Sequence, residues 1–189
     1  MRKRLDLKKK GFISLGGFND LIKMRDGWMI YNKNDKYIGK SIKEYGEWSQ
    51  EEINLCMQIL NPSDVVIEVG SNIGSHTLAL AKIVHEGVVF AFEPQNVIFQ
   101  NLSANMSINS ITNCFCSNIA LSNKKEEDFY YPNLDFTKEN NFGGMHLNKV
   151  KSNNFLRSVV DTLDERFAHL KSLKILKMDV EGMEVNVLK

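Results

Sequence analysis

Long apolar runs are missing from this chain. Nowhere among its 189 residues does a stretch approach the ~18 consecutive apolar side chains of a membrane span. The first residues are basic and no apolar h-region follows them, so neither a spanning segment nor a secretory signal is expected. Cysteine is scarce and odd in number: Cys56, Cys114 and Cys116. With no further Cys or His at metal-ligand spacing, this set excludes a disulfide framework and reads as three packed, reduced thiols in a cytoplasmic protein. His85, His146 and His169 share no ligand spacing either, and nothing in the sequence demands a metal. Internal repeats and domain-dividing linkers are absent, so the length and the composition of 43% apolar and 25% charged residues describe one globular unit. A strong charge of either sign is also lacking, the net being +1. Residues 1–10 nevertheless hold six basic side chains and one acid, which leaves −4 for the rest and no evident groove for tracking phosphates. Nucleic acid is therefore not an expected partner. Residues 1–26 are taken as a basic N-terminal extension that is solvated, or that docks on an anionic surface.

What is present is an alternation of short β-branched runs and helical patterns. Residues 27–39 read as a hairpin, with Trp28–Tyr31, a polar turn over Asn32–Asp35, and Tyr37-Ile38-Gly39. Ser49-Gln50-Glu51-Glu52 has the form of a capping box, and Ile53, Cys56, Met57 and Leu60 follow at helical spacing. Strands are predicted at Val65–Val69, Val88–Phe92, about 114–119 and Leu173–Val180, with helices over about 74–85 and 95–108 between the first three. Cys114 and Cys116 would share one face of the third strand. The polar stretch Asn123–Asn154 is too long for a structureless loop, so it is expected to hold a short strand pair or a lid around Phe142-Gly143-Gly144. Val159-Val160 reads as one more short strand, and Thr162-Leu163-Asp164-Glu165 as a second capping box. The pattern predicts an α/β fold with a doubly wound, mostly parallel sheet over residues 27–189.

The most informative segment is Val65–Gly74, where a strand breaks on Gly70-Ser71-Asn72-Ile73-Gly74 and a helix begins at once. This is not the Gly-x-Gly-x-x-Gly dinucleotide fingerprint, because Asn72 takes the place of the middle glycine. Glu68 puts a carboxylate beside the turn, which repels phosphates and suits an ammonium. Glu93 ends the second strand, where an acid accepts hydrogen bonds from ribose hydroxyls. A ligand with an α-amino acid end, a ribose and an adenine fits these features, and S-adenosylmethionine is the common one. The alternatives at this level are a turn that needs glycine for backbone reasons, and an acid that caps the next helix behind Pro94.

The blocks at 66–77, Ala-Phe-Glu-Pro (91–94), Asn-Ile-Ala-Leu-Ser (118–122), Thr-Leu-Asp-Glu (162–165) and Leu-Lys-Met-Asp-Val-Glu-Gly-Met-Glu (176–184) resemble the FkbM family of S-adenosylmethionine-dependent methyltransferases. Tyr45-Gly46-Glu47-Trp48 is similar to the family's lead-in, and the likeness covers about residues 28–189. It implies a Rossmann-like class I methyltransferase fold and methyl transfer, usually to a hydroxyl of a sugar or secondary metabolite. By matching position, Glu68, Gly70, Asn72 and Gly74, with Ser71 in the same turn, would line the methionine end of the cofactor. Glu93 would hold the ribose and Asn118 would lie near the adenine. Asp179 and Glu181 would face the transfer site, with Asp179 the first choice to take the acceptor proton and Glu181 the second. His76, in the first turn after the glycine loop, is a further candidate for the pocket. The family continues with further strands, so a C-terminally truncated version is expected, its fourth strand a bare edge open to homo-oligomerisation. The competing functional readings are an inactive cofactor-binding relic or subunit and, behind it, a nicotinamide-dependent oxidoreductase.

Overall fold

The computed structural model describes residues 11–125 and 127–189. β1 (Phe12–Ser14), β2 (Asn19–Lys23) and β3 (Trp28–Asn32) form a small antiparallel sheet in that order. The hairpin expectation is corrected here. β3 pairs with β2 in front of it, Leu21 opposite Ile30, and Ile38–Tyr45 is a helix, α1. Ile38 and Ile42 are one helical turn apart and both buried, Gly46 closes the helix in the left-handed conformation, and Gly39 lies against the Asn32 carbonyl where a Cβ would overlap it. Residues 12–23, assigned from sequence to the extension, thus belong to the sheet that carries β3.

α2 (Gln50–Ile59) starts where the first capping box is predicted, but Ser49 is left-handed and its hydroxyl bonds the Glu52 carboxylate at 2.5 Å instead of a backbone N–H. Ile53 and Leu60 are buried, whereas Met57 is 59% exposed. β4 (Val65–Val69), α3 (Ser75–Ile83), β5 (Val88–Phe92), α4 (Asn96–Ile108) and β6 (Cys114–Ser117) follow as the pattern predicts. β7 (Ala120–Leu121) comes next, and β8 (Phe129–Pro132), inside the long polar stretch, pairs antiparallel with β9 (Phe155–Ser158), which begins just past the end of that stretch. β10 (Val160–Asp161) pairs with β7, and α5 (Leu163–Phe167) is capped by the Thr162 hydroxyl, which accepts from the Glu165 N–H at 3.2 Å. β11 (Ile175–Met178) and α6 (Glu184–Val187) complete the described elements.

The central sheet has the order β11-β4-β5-β6, parallel throughout. Alternation along the strands divides two cores. On one face Val66, Val89 and Ala91 meet α2, α3 and α4, through Ile53, Leu80, Ile98 and Leu102. On the other face Ile67, Val69 and Phe92 pack with Leu163, Phe167, Leu121 and Val187. Among the described residues β11 has no strand on its outer side, and no helix is long and apolar enough to cross a membrane.

The small sheet is held to α4 by a stripe of asparagines at helical spacing. Asn105 accepts from the Ile30 N–H at 2.7 Å and donates to the Ile30 carbonyl at 3.0 Å, while Asn109 does the same for Trp28 at 2.8 and 2.6 Å. Asn101 exchanges hydrogen bonds with Asn19 at 3.1 and 3.3 Å. Side-chain amides thereby replace a neighbouring strand along the outer edge of β3 and satisfy backbone groups that would otherwise be buried unpaired. Asn105 also donates to the Ile73 carbonyl at 2.8 Å, which ties this arrangement to the glycine turn.

Candidate functional site

The turn after β4 is locked to the end of β5. Gly70 and Ser71 both donate their N–H to the Phe92 carbonyl at 2.9 Å. The Ser71 hydroxyl donates to the Glu68 carbonyl at 3.1 Å and accepts from the Phe92 N–H at 3.2 Å. Gly70 (φ +82°), Asn72 (φ +50°) and Gly74 (φ +85°) all occupy the left-handed region. A Cβ on Gly70 would overlap the Asp179 carbonyl oxygen, and one on Gly74 would come within 2.7 Å of Leu102. Both glycines therefore serve the close approach of neighbouring chain, and Asn72, which tolerates this backbone, carries the side chain in the turn.

Glu93 lies just beyond β5 and is 4% exposed. Its carboxylate accepts from the Asn72 N–H at 3.0 Å and the Gln95 N–H at 2.9 Å. Burial outweighs these hydrogen bonds and pushes its pKa up to about 7. Asn118 is not among the residues that line the cavity described below. Its amide donates to the Glu93 and Pro94 carbonyls at 2.8 and 3.0 Å, so it braces the loop carrying Glu93.

Glu68, expected beside the turn as a carboxylate that suits an ammonium, is buried and paired. Its Oε2 accepts from the Thr77 hydroxyl at 2.5 Å, and its Oε1 lies 3.4 Å from Lys177 Nζ. Lys177 stands opposite Glu68 in the β11–β4 register, and sequence reading missed it. The signal was there: a lysine inside the apolar run Ile175–Met178 has no reason to be in a covered strand unless an acid meets it.

Asp179 donates its N–H to the Val69 carbonyl at 2.9 Å, which sets its exposed side chain at the mouth formed by the ends of β4 and β11. Glu181 is left-handed (φ +52°), and its carbonyl is hydrogen-bonded to His146 Nδ1. His76 is buried, its Nε2 3.1 Å from the Trp48 carbonyl and its Nδ1 4.0 Å from Glu52.

One cavity of about 220 Å³ joins these groups: it is lined by Glu68, Gly70, Ser71, Asn72, His76, Glu93, Asp179 and Glu181, together with Lys177. Gly74 and Asn118 lie outside its lining. Tyr37, Trp48 and Asn141 also line it and were not assigned to the site from sequence, together with Gly143 and Gly144 from the stretch where a lid was one expectation. A Cβ on Gly143 would stand 2.9 Å from the Asn72 amide, so the glycine pair of the long polar stretch packs on the turn itself. Phe142 anchors this cover: it is fully buried, stacked on Phe136 at 4.8 Å, and its carbonyl accepts from Gln95 at 3.1 Å. A larger groove of about 890 Å³ runs between α5, β11 and α6 on the opposite face, and no candidate site residue lines it. Among the described residues no group of three or more His, Cys, Asp or Glu is placed to hold a metal ion.

Over 168 residues the chain is 27% identical to the methyltransferase sdnD of Sordaria araneosa. The match covers 71% of this chain and 63% of that protein, so the chain spans less than two thirds of its relative's length. Among solved structures it is similar to M. jannaschii TYW2 in complex with AdoMet, at 22% identity and a TM-score of 0.43 over 55% of this chain and 44% of that one. It is also similar to an rRNA methylase from Streptococcus thermophilus, at 20% identity and a TM-score of 0.35 over 37% and 41%. These overlaps are partial, and the fold assignment rests on the strand order above. The model of the FkbM methyltransferase domain matches residues 68–189, from the buried acid of β4 to the last residue, and the chain belongs to that family.

Proposed function

We propose that this chain binds S-adenosylmethionine at the glycine turn and transfers a methyl group to a hydroxyl oxygen of a sugar or secondary metabolite. The observation that carries the reading is the single cavity shared by the glycine turn, the buried Glu93 carboxylate and Asp179. The residues fit such a cofactor. Glu93, with each carboxylate oxygen already accepting one backbone N–H, retains lone pairs for ribose hydroxyls. Glu68, Gly70, Ser71 and Asn72 bound the part of the cavity assigned to the methionine end. When bound, the cofactor supplies an electrophilic methyl group on a sulfonium.

The protein's tasks are then to align the acceptor and to take its proton. Asp179 is the group assigned to that proton, because it stands at the carboxyl end of β11, where ligands meet sheets of this kind, and its side chain is exposed to the cavity. Glu181 flanks it. A cytoplasmic location belongs to the same reading and is supported by three unbridged cysteines.

Calorimetric titration with S-adenosylhomocysteine, with NAD as control, tests the cofactor. Binding of the former alone, weakened about 10- to 100-fold by Glu93→Ala through loss of charge-assisted hydrogen bonds, is expected. Asp179→Asn is expected to abolish turnover while keeping affinity within a few-fold, and a parallel loss of binding would reassign Asp179 to the cofactor. Binding by the unaltered chain without turnover of any hydroxyl acceptor would leave the non-catalytic reading.

A further inference from the structure

We propose that Lys177 takes the carboxylate of a zwitterionic α-amino acid group and so completes a paired-charge receptor with Glu68, already read above as suited to the ammonium. The inference rests on the cofactor reading above and deepens it, since it assigns the amino-acid end of that cofactor to one cation and one anion of this chain.

The case begins with Lys177. Its side chain is 13% exposed and lines the cavity that Glu68, Gly70 and Asn72 also line. An ammonium has three N–H donors and seeks acceptors at about 2.7–3.2 Å. Lys177 Nζ instead stands 3.4 Å from Glu68 and 4.0 Å from Glu52, close enough for attraction and too far for a strong hydrogen bond. A nearly buried cation with unspent donors toward a cavity calls for an acceptor from a ligand, and a carboxylate supplies charge as well as lone pairs.

Glu68 completes the pair. Thr77 occupies Oε2, and Oε1 is turned toward Lys177 at the same wall. An α-amino acid presents charges of the opposite order at similar separation, so it docks head to tail on the pair with no net charge change. A pyrophosphate brings negative charge alone and meets Glu68 directly, so the same pair discriminates against dinucleotides.

Three ligands separate the contributions: S-adenosylhomocysteine, its decarboxylated analogue, which keeps the ammonium, and 5′-methylthioadenosine, which lacks the amino-acid end. The unaltered protein is expected to bind the decarboxylated analogue at least about 10-fold more weakly than S-adenosylhomocysteine. In Lys177→Met that difference disappears, S-adenosylhomocysteine falls by about the same factor, and 5′-methylthioadenosine stays within about threefold, a ligand–protein double-mutant cycle. Because Lys177→Met leaves Glu68 unpaired, Lys177→Met/Glu68→Gln is measured beside it, with thermal melts of both. The double variant is expected to fold and to bind 5′-methylthioadenosine normally. Equal affinity of the unaltered protein for the first two ligands overturns the proposal, as does an equal loss for all three in both variants, which marks a structural role. If the folded, unaltered protein binds none of the three, the cofactor reading itself falls and this inference with it.

Discussion

Replacing Glu93 with glutamine removes a titration that the fold displaces far from its ordinary range. In solution the carboxyl has a pKa near 4.5, and in the folded chain burial lifts it to about 7. A carboxyl raised in this way binds more protons folded than unfolded between those values. Its stabilising contribution is therefore complete below pH 4.5 and is lost as pH rises through 7. The difference corresponds to about 3 kcal/mol, most of it developed between about pH 5 and pH 8.

Glutamine carries no charge to desolvate, but it keeps only one acceptor oxygen where Glu93 uses two, one for the Asn72 N–H and one for the Gln95 N–H. The lost acceptor costs about 1–3 kcal/mol at every pH. Glu93→Gln is thus expected to be the less stable protein near pH 5 and to draw level with or overtake the unaltered chain near pH 8. Urea midpoints of both proteins across this range give the test. Asp26 and Asp35, also raised by burial, titrate in both and cancel in the difference. Stability curves that run parallel from pH 5 to pH 8 would refute the reasoning. By the same linkage, ribose hydroxyls donating to Glu93 favour its charged form, so S-adenosylhomocysteine affinity is expected to rise with pH up to about 7 with proton release on binding, visible as buffer-dependent heats.

Gly70→Ala places a Cβ on the Asp179 carbonyl at a left-handed position, and is expected to cost about 3 kcal/mol or more with loss of S-adenosylhomocysteine binding, read by urea melts and calorimetry. Asn105→Leu leaves the Ile30 N–H and carbonyl and the Ile73 carbonyl unpaired in the interior, about 1–3 kcal/mol each before relaxation, so a loss of about 3 kcal/mol is expected. Hydrogen exchange should then open β3 and the glycine turn together; exchange confined to β3 would show that Asn105 does not couple them.

The alternation of strand and helix from Val65 to Ser117 was legible because each element carries its own periodicity and its own stop, Gly70 after β4 and Pro94 after β5. The Thr162 cap was legible for the same reason, since its partner is three residues away. The partner of β3 was not. Tyr37-Ile38-Gly39 has the composition of a short strand, and only the burial of Ile38 with Ile42 against the small sheet makes it helical. The Ser49 cap failed by a local competition, since its hydroxyl found the Glu52 carboxylate rather than the backbone.

The site divides along the same line. Sequence alone determined which residue types stand at the ends of the strands: the glycine turn, an acid on either side of it, and Asp179 and Glu181 after β11. Those positions follow from short-range pattern and from the rule that strand ends in parallel sheets face one crevice. Tertiary structure alone decided the charge of that crevice and its cover. Lys177 meets Glu68 only because β11 crosses back beside β4, Asn118 is drawn to the Glu93 and Pro94 carbonyls, and Phe142 carries Gly143 onto Asn72 from a distant loop. A buried carboxylate's partner is a property of register between strands far apart in the chain, and no local pattern records that register.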